Sequence, residues 1–570
     1  MRLADLRERL GRARNPDVLV TVLTALLAVG PYALDLFRRD VTRRVFAFAA
    51  SDTFYYLTVA RNAAGTGRLS FDGERLTNGF HPLWQLLLCI PAFAVRLAKA
   101  DDAWILVWAI ALGVVLVGLA TVSLALAFRR GDEPLSPLFA ALPAGIATAV
   151  QFPLMHHLYR TSGRLSMSLY GAVNGMETSL VLAAYGLVAL GYLSPGRTRR
   201  DGLLLGGALA ALALARLDHA AIAVTIAASL FLDRDHRDFA RSASLVLGAA
   251  LALYVVQNRL LFGAALPVSG TIKSTFPGLA TDTQGLVRTF FTTPKKLPPG
   301  QGHRALALLL PGAFALGTIG VVASGALRRA HSGGPGPSRT SLFLACTAVG
   351  TLGIVLYDFC FVPKMNQGHW YFPVPNLLAS LAVVEGTRGW LNRPKGTLGA
   401  TLRALVLAGA AASSLAVLVA SRPAEGDIGY GAFYFDEAPR VRAFYAGKAP
   451  KMVEFDDGIL SFTTRIPSLS GTGLTVDAAA VPFAGKGRNA GFGQSRLLDL
   501  GLSRGYDRFA TFAYAHEHVR ANATDRELRR AYPFLLGKNA AGCTLAVDYY
   551  SPRGTLVIVR VDCPHGTPRL

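Results

Sequence analysis

Apolar residues gather in runs along this chain, and the runs predict its elements. Val18–Phe37 opens the series. Further apolar segments follow at about 83–96, 104–128, 137–154, 179–193, 203–215, 219–232, 242–262, 305–326, 341–362, 371–385 and 401–420. Most come near the ~20 residues a helix needs to cross a hydrocarbon core. The loops Arg129-Arg130, Arg197/Arg199/Arg200, Arg234/Arg237/Arg241, Arg328/Arg329/Arg339 and Arg388/Arg393/Lys395/Arg403 are basic. Loops of that kind stay in the cytoplasm. Counting back from the last, alternate loops are basic, so residues from 421 onward lie outside. The pattern predicts a polytopic α-helical membrane part over 1–420 and an extracytoplasmic domain over 421–570, either α+β or mostly β.

The segment at 83–96 is short, contains Pro91 and ends at Arg96. Apolar runs of that length are more often re-entrant or juxtamembrane than spanning. Setting it aside leaves about eleven crossings, with the Arg38–Arg44 cluster outside. Segments 203–215 and 219–232 read as a helical hairpin tipped by Ala215-Arg216-Leu217-Asp218-His219, and charges at such a depth require mutual pairing or a water-filled cavity. Arg2, Arg7, Arg9, Arg12 and Arg14 precede Val18–Phe37, the form of a signal sequence. Ala47-Phe48-Ala49 resembles a cleavage site, but four arginines part it from the apolar run. The reading is a retained anchor with a cytoplasmic amino terminus.

Of 570 residues, 52% are hydrophobic and 16% charged, against roughly 25% charged in soluble proteins. The net charge of +22 sits in loops beside apolar segments. Topology and anionic membrane lipids account for it there, and nucleic acid is not implied as a partner. Cys89, Cys346 and Cys360 fall in or beside apolar segments and read as packing residues. Cys543 and Cys563 flank two alternating strands, Thr544–Tyr550 and Thr555–Val561, around a Ser551–Gly554 turn. Opposed strand residues have the separation that a disulfide requires, so a bond is expected, two free buried thiols being the other reading. No Walker-type loop, CxxC pair, His-x-x-x-His or serine elbow occurs, so ATP-driven pumping, structural zinc and serine hydrolysis have no support.

Candidate chemistry lies where apolar runs begin and end. Ser51-Asp52-Thr53-Phe54-Tyr55-Tyr56-Leu57, Ala60-Arg61-Asn62 and Thr77-Asn78-Gly79-Phe80-His81-Pro82-Leu83-Trp84 follow the first run. Asp52 is suited to removing a proton from an acceptor hydroxyl; it also suits a helix N-cap or a partner for Arg61. Tyr55, Tyr56, Arg61, Asn62, Asn78, His81 and Trp84 fit a sugar, which has apolar faces and hydroxyl edges. Glu177, in Asn174-Gly175-Met176-Glu177-Thr178, reads equally as a substrate anchor or a helix-start residue. Arg216 and Asp218 sit at the hairpin tip. Lys273 ends Pro267-Val268-Ser269-Gly270-Thr271-Ile272-Lys273, a bend suited to a phosphate or simply solvated. His369 and Tyr371 stand at another outer helix start, where an interfacial aromatic belt is the commoner role. Asp456-Asp457-Gly458 reads as a turn, a cation contact being the other reading.

Taken together, the motifs from Asp52 to Trp84, with Phe71-Asp72-Gly73 and Asn174–Thr178, resemble the GT-C superfamily of membrane glycosyltransferases. Its members include protein mannosyltransferases, the lipid A aminoarabinose transferase and mycobacterial arabinofuranosyltransferases. The likeness covers about 18–420, and the outer domain matches by position alone. It implies transfer of a sugar from a polyprenyl-phosphate donor to an extracytoplasmic glycan, lipid or protein, usually with inversion. It also implies Asp52 as base, and Lys273 or Arg216 at the phosphate. Related enzymes often carry two adjacent acidic residues; here the first is Ser51, which weakens the case for a divalent cation. No cofactor is otherwise implied. Two other classes compete: a transporter or flippase, and an envelope scaffold without catalysis. The lack of a paired repeat argues against transport.

Overall fold

The computed structural model describes residues 40–47, 49–130, 172–280, 338–363, 433–455, 458–484, 496–512, 519–532, 542–552 and 556–564, with isolated helical positions around 29–33, 312–327, 373–382 and at 401, 408 and 431. The expected segment at 137–154 lies outside the described residues, as do most of Val18–Phe37 and 401–420.

Nine helices among the described residues frame the site in the membrane part. They are α1 (Thr53–Thr66), α2 (Pro82–Leu97), α3 (Ala103–Arg130), α4 (Thr178–Leu193), α5 (Arg199–Ala215), α6 (Ala220–Ser229), α7 (Arg237–Phe262), α8 (Val268–Lys273) and α9 (Arg339–Phe361). Among the described residues, α3, α9 and the helical stretch ending in α7 are long and apolar enough to cross a membrane; α2 and α4 are shorter apolar helices. α3 is apolar on every side because it meets α4 on one face and carries Trp104, Trp108, Val115 and Leu119 outward on another. α2 shows Leu86, Ile90, Phe93 and Leu97 exposed along one face. That three-to-four spacing gives a single apolar stripe, as a helix lying against lipid needs.

α5 and α6 form the expected hairpin. A capping box starts α5, with Thr198 and Asp201 bonding each other's backbone amides. Arg216 interrupts the helix in extended conformation, and a single turn, Leu217–His219, leads into α6. α5 packs on α4 and α7, and α6 on α9.

The C-terminal domain holds α10 (Ala438–Phe444), α11 (Ile459–Thr464), α12 (Leu497–Ser503), α13 (Asp525–Ala531) and five strands. These are β1 (Met452–Glu454), β2 (Ser468–Ser470), β3 (Arg508–Phe512), β4 (Thr544–Tyr550) and β5 (Leu556–Asp562), ordered β2-β1-β3-β5-β4. β1 runs parallel to β2 and β3, whereas β5 is antiparallel to β3 and β4. Parallel neighbours need crossover connections, and between β1 and β2 the helix α11 supplies one. Thr544 pairs with Asp562, which brings Cys543 against Cys563; their sulfurs are joined.

One face of this sheet has its own core around Val453, Phe509, Tyr506 and Val559. The other face shares a core with the membrane part, where Phe462, Tyr434 and Ile466 pack with Phe46, Phe54 and Leu57. Arg43 also lies 3.6 Å from Asp436, so the segment around Arg43 is on the same side as the C-terminal domain.

Candidate active site

Three turns converge at the start of α1. Thr53 Oγ1 donates to the Asn174 carbonyl at 2.7 Å, and Ala50 N donates to the same oxygen at 3.0 Å. Asn174 Oδ1 accepts from Met176 N, closing a local turn. Gly175 in that turn has φ +82°, and a Cβ there would lie 2.6 Å from Thr53 Cγ2. Glycine thus allows both the left-handed backbone and the approach to α1. Trp84 Nε1 donates to the Gly175 carbonyl at 3.1 Å, fixing the turn from the other side. Local chemistry therefore sets Asp52 and Glu177, remote in sequence, beside one another.

Glu177 is fully buried and heavily engaged. Arg216 donates to its Oε1 at 2.6 Å, Tyr56 OH donates to Oε2 at 3.0 Å, and His81 Nε2 lies 3.5 Å from Oε1. Arg216 Nε bonds Asp218 Oδ2 at 2.9 Å, and Asp218 Oδ1 meets His219 Nδ1 at 2.6 Å. Lys273 Nζ stands 4.0 Å from Asp52 Oδ2. Exposure sorts these groups: the side chains of Asp52, Lys273, His81 and Asp218 are 17%, 20%, 24% and 23% exposed, those of Arg216 and Glu177 3% and 0%. The first four are open to an entering molecule, and the last two brace them from behind.

Burial raises the Asp52 carboxyl above the usual range for aspartate, and Lys273 pulls it back. A base that binds its proton more firmly is the better acceptor at neutral pH. Burial also pushes the Tyr56 hydroxyl well up, reinforced by Glu177, so it stays a donor. His81 is driven down to about 4 by burial, against the pull of Glu177, and stands neutral at pH 7.

Asp52, Tyr56, His81, Glu177, Arg216, Asp218 and Lys273 are thus brought together. The other candidates on the first loop have different places. Tyr55 OH meets Thr472 Oγ1 at 2.6 Å; Arg61 donates to the Ser461 and Phe462 carbonyls at 3.1 and 2.8 Å. Neither an N-cap bond from Asp52 nor an Asp52–Arg61 pair forms; Arg61 faces Asp102 at 4.0 Å. Asn62 holds the Ser70 and Phe71 carbonyls, and Trp84 is fully buried. These four are the residues expected at a sugar; the bonds of Asn62 and Trp84 fold the loop and the Gly175 turn, and those of Tyr55 and Arg61 seat the C-terminal domain. Asn78 acts at one remove: it bonds Asn258 and the Leu266 carbonyl and accepts from Val268 N, which anchors α8 and so positions Lys273. His369, Tyr371 and Asp456-Asp457 lie outside the described residues.

Two further residues join the cluster. His219 closes the hairpin tip, fully buried. Asp358, on α9, is close enough to Asp218 and Arg216 to feel both charges. A lone carboxylate inside the apolar segment 341–362 was the signal for it.

The chain matches no family model and no curated protein. Among solved structures it is similar to the archaeal oligosaccharyltransferase AglB from Archaeoglobus fulgidus in complex with an inhibitory peptide and a dolichol-phosphate. The identity is 14% and the TM-score 0.49, over 95% of this chain and 74% of that one. It is also similar to ArnT from Cupriavidus metallidurans bound to undecaprenyl phosphate, at 12% identity and TM-score 0.43, over 97% of this chain and 99% of that one. The apo state of the same ArnT gives 12% and 0.43, over 96% and 98%.

Proposed function

We propose that this chain is an integral membrane glycosyltransferase. It moves a sugar from a polyprenyl-phosphate donor to an extracytoplasmic glycan, lipid or protein, with inversion at the anomeric carbon. The observation that carries the reading is the half-open pair of Asp52 and Lys273, backed by the closed Glu177–Arg216 pair.

The acceptor hydroxyl oxygen attacks the anomeric carbon, its proton passes to Asp52, and the bond from that carbon to the phosphate oxygen breaks. The electron pair leaves with the lipid phosphate. A positioned base supplies roughly 10²–10⁴-fold. Cations in a low-dielectric site stabilise the departing charge. Lys273 is the better phosphate contact, because Arg216 is committed to Glu177 and Asp218. His81 and Asp218 offer hydrogen bonds to sugar hydroxyls. A divalent cation at Asp52 would draw part of its shell from substrate phosphate or water, since among the described residues no three His, Cys, Asp or Glu side chains gather as ligands.

The test is transfer or release of labelled sugar from a panel of polyprenyl-phosphate sugars by the purified protein in lipid. The reading expects turnover with at least one donor. A folded protein that turns over none of them, given membrane-extract acceptors, would overturn it in favour of transport.

A further inference from the structure

A cavity of about 310 Å³ is lined by residues 442–467 of the C-terminal domain, apart from the Asp52 cluster, and its Arg465 reaches Asp102 between α2 and α3. Its charged lining residues, Arg442, Lys448, Lys451 and Arg465, are all basic, and Tyr445 and Pro450 are among the uncharged residues of the wall. Two of the four cations are balanced from the membrane part: Lys451 by Glu74, and Arg465 by Asp102 at 2.9 Å. Arg442 and Lys448 are exposed and, among the described residues, have no carboxylate in ion-pair range. Lys448 rests over the Phe444 ring instead, 4.3 Å from its centroid. Among the described residues the cavity therefore holds two positive charges in excess.

Its height is fixed by the same contacts. Asp102 immediately precedes α3, which is long and apolar enough to cross a bilayer. Trp104 and Trp108, on the first turns of α3, are 41% and 57% exposed, as residues of an interfacial belt are. Arg465, through Asp102, thus ties the cavity to the end of α3 that carries these tryptophans. An interfacial tryptophan belt sits at the level of lipid headgroups. Leu97, at the end of the apolar stripe of α2, is 84% exposed at the same corner and suits an acyl chain.

The geometry points to a binding site for the phosphate headgroup of an anionic phospholipid, in the leaflet that faces the C-terminal domain. Arg442 and Lys448 supply the charge, Tyr445 and Pro450 the apolar wall, and α2 the surface along which the chains descend. The site is independent of the sugar-transfer reading. Basic recesses beside membrane helices hold anionic headgroups by this chemistry.

The experiment uses the full chain in nanodiscs of phosphatidylcholine with or without phosphatidylglycerol, followed by native mass spectrometry of retained lipid. Arg442→Gln with Lys448→Gln is compared with wild type. The control is Arg526→Gln with Arg530→Gln, which removes the same charge from the exposed face of α13. Wild type and control should retain phosphatidylglycerol, with the Arg442/Lys448 variant weaker by roughly 30-fold, at about fivefold per cation near a charged surface. If that variant fails to fold, Lys448→Gln alone should weaken retention by about fivefold. Unchanged retention in a folded variant, or equal loss in the control, would overturn the proposal. Displacement of the lipid by an equal concentration of inorganic phosphate would also overturn it, in favour of a soluble anion.

Discussion

Arg216 donates to Glu177 at 2.6 Å across 39 positions of sequence, and both side chains are closed to solvent. Removing one member of a buried pair strands the other, at about 3–5 kcal/mol. Arg216→Met and Glu177→Gln should each lower the melting temperature sharply, and the double variant should recover part of the loss. Thermal denaturation in lipid checks this; single variants that melt like wild type would contradict the bracing role.

His81 gives the fold a pH dependence of defined sign. Its ordinary value is 6.5 and burial drives it to about 4, so between these values the unfolded chain takes up a proton that the folded chain refuses. Stability contributed by neutral His81 is therefore present above pH 6.5 and lost as pH falls towards about 4. Asp52, raised on folding, works the other way, so the comparison must isolate His81. His81→Gln should flatten the difference in melting temperature across this window. An identical pH profile in that variant would contradict the assignment.

The first loop and the C-terminal domain touch backbone to backbone at Gly79. A Cβ there would fall 1.8 Å from the Leu474 carbonyl oxygen. Thr77 Oγ1, two residues earlier, donates to the Val476 carbonyl at 2.9 Å. Gly79→Ala should cost about 1–3 kcal/mol or more through overpacking. Limited proteolysis should then cut the C-terminal domain faster. Unchanged cleavage would show that the two parts are not held through this contact.

Cys543 and Cys563 close a loop with a sequence separation of 20. A bond of that span is worth about 3 kcal/mol. Reductant should lower the melting temperature of wild type but not of Cys543→Ser/Cys563→Ser. Alkylation without reductant should leave both sulfurs unlabelled, and double labelling would contradict the bond.

Much of the cluster was legible in sequence because His81, Glu177 and Arg216 each stand beside the start or end of an apolar run, and Asp52 and Lys273 lie in the polar loops that follow such runs. Helix ends on one side of a membrane converge, so such residues meet. The bonds that Tyr55, Arg61, Asn62 and Trp84 make were not legible. A polar-aromatic loop serves a sugar or a docked domain equally well, and Arg61 finds its partners at Ser461 and Phe462, 400 and 401 positions downstream. The shared core escaped for the same reason: Phe54 and Phe462 read as members of separate units until their rings meet at 5.7 Å. Asp358 was readable as a single charge in an apolar run.

The most direct test of the account is Asp52→Asn, assayed in lipid with a donor that wild type accepts. The amide keeps the shape of Asp52 and cannot take the acceptor's proton. Transfer should fall by roughly 10²–10⁴-fold while melting temperature and donor binding hold. Turnover near the wild-type rate in a folded variant would contradict Asp52 as the base.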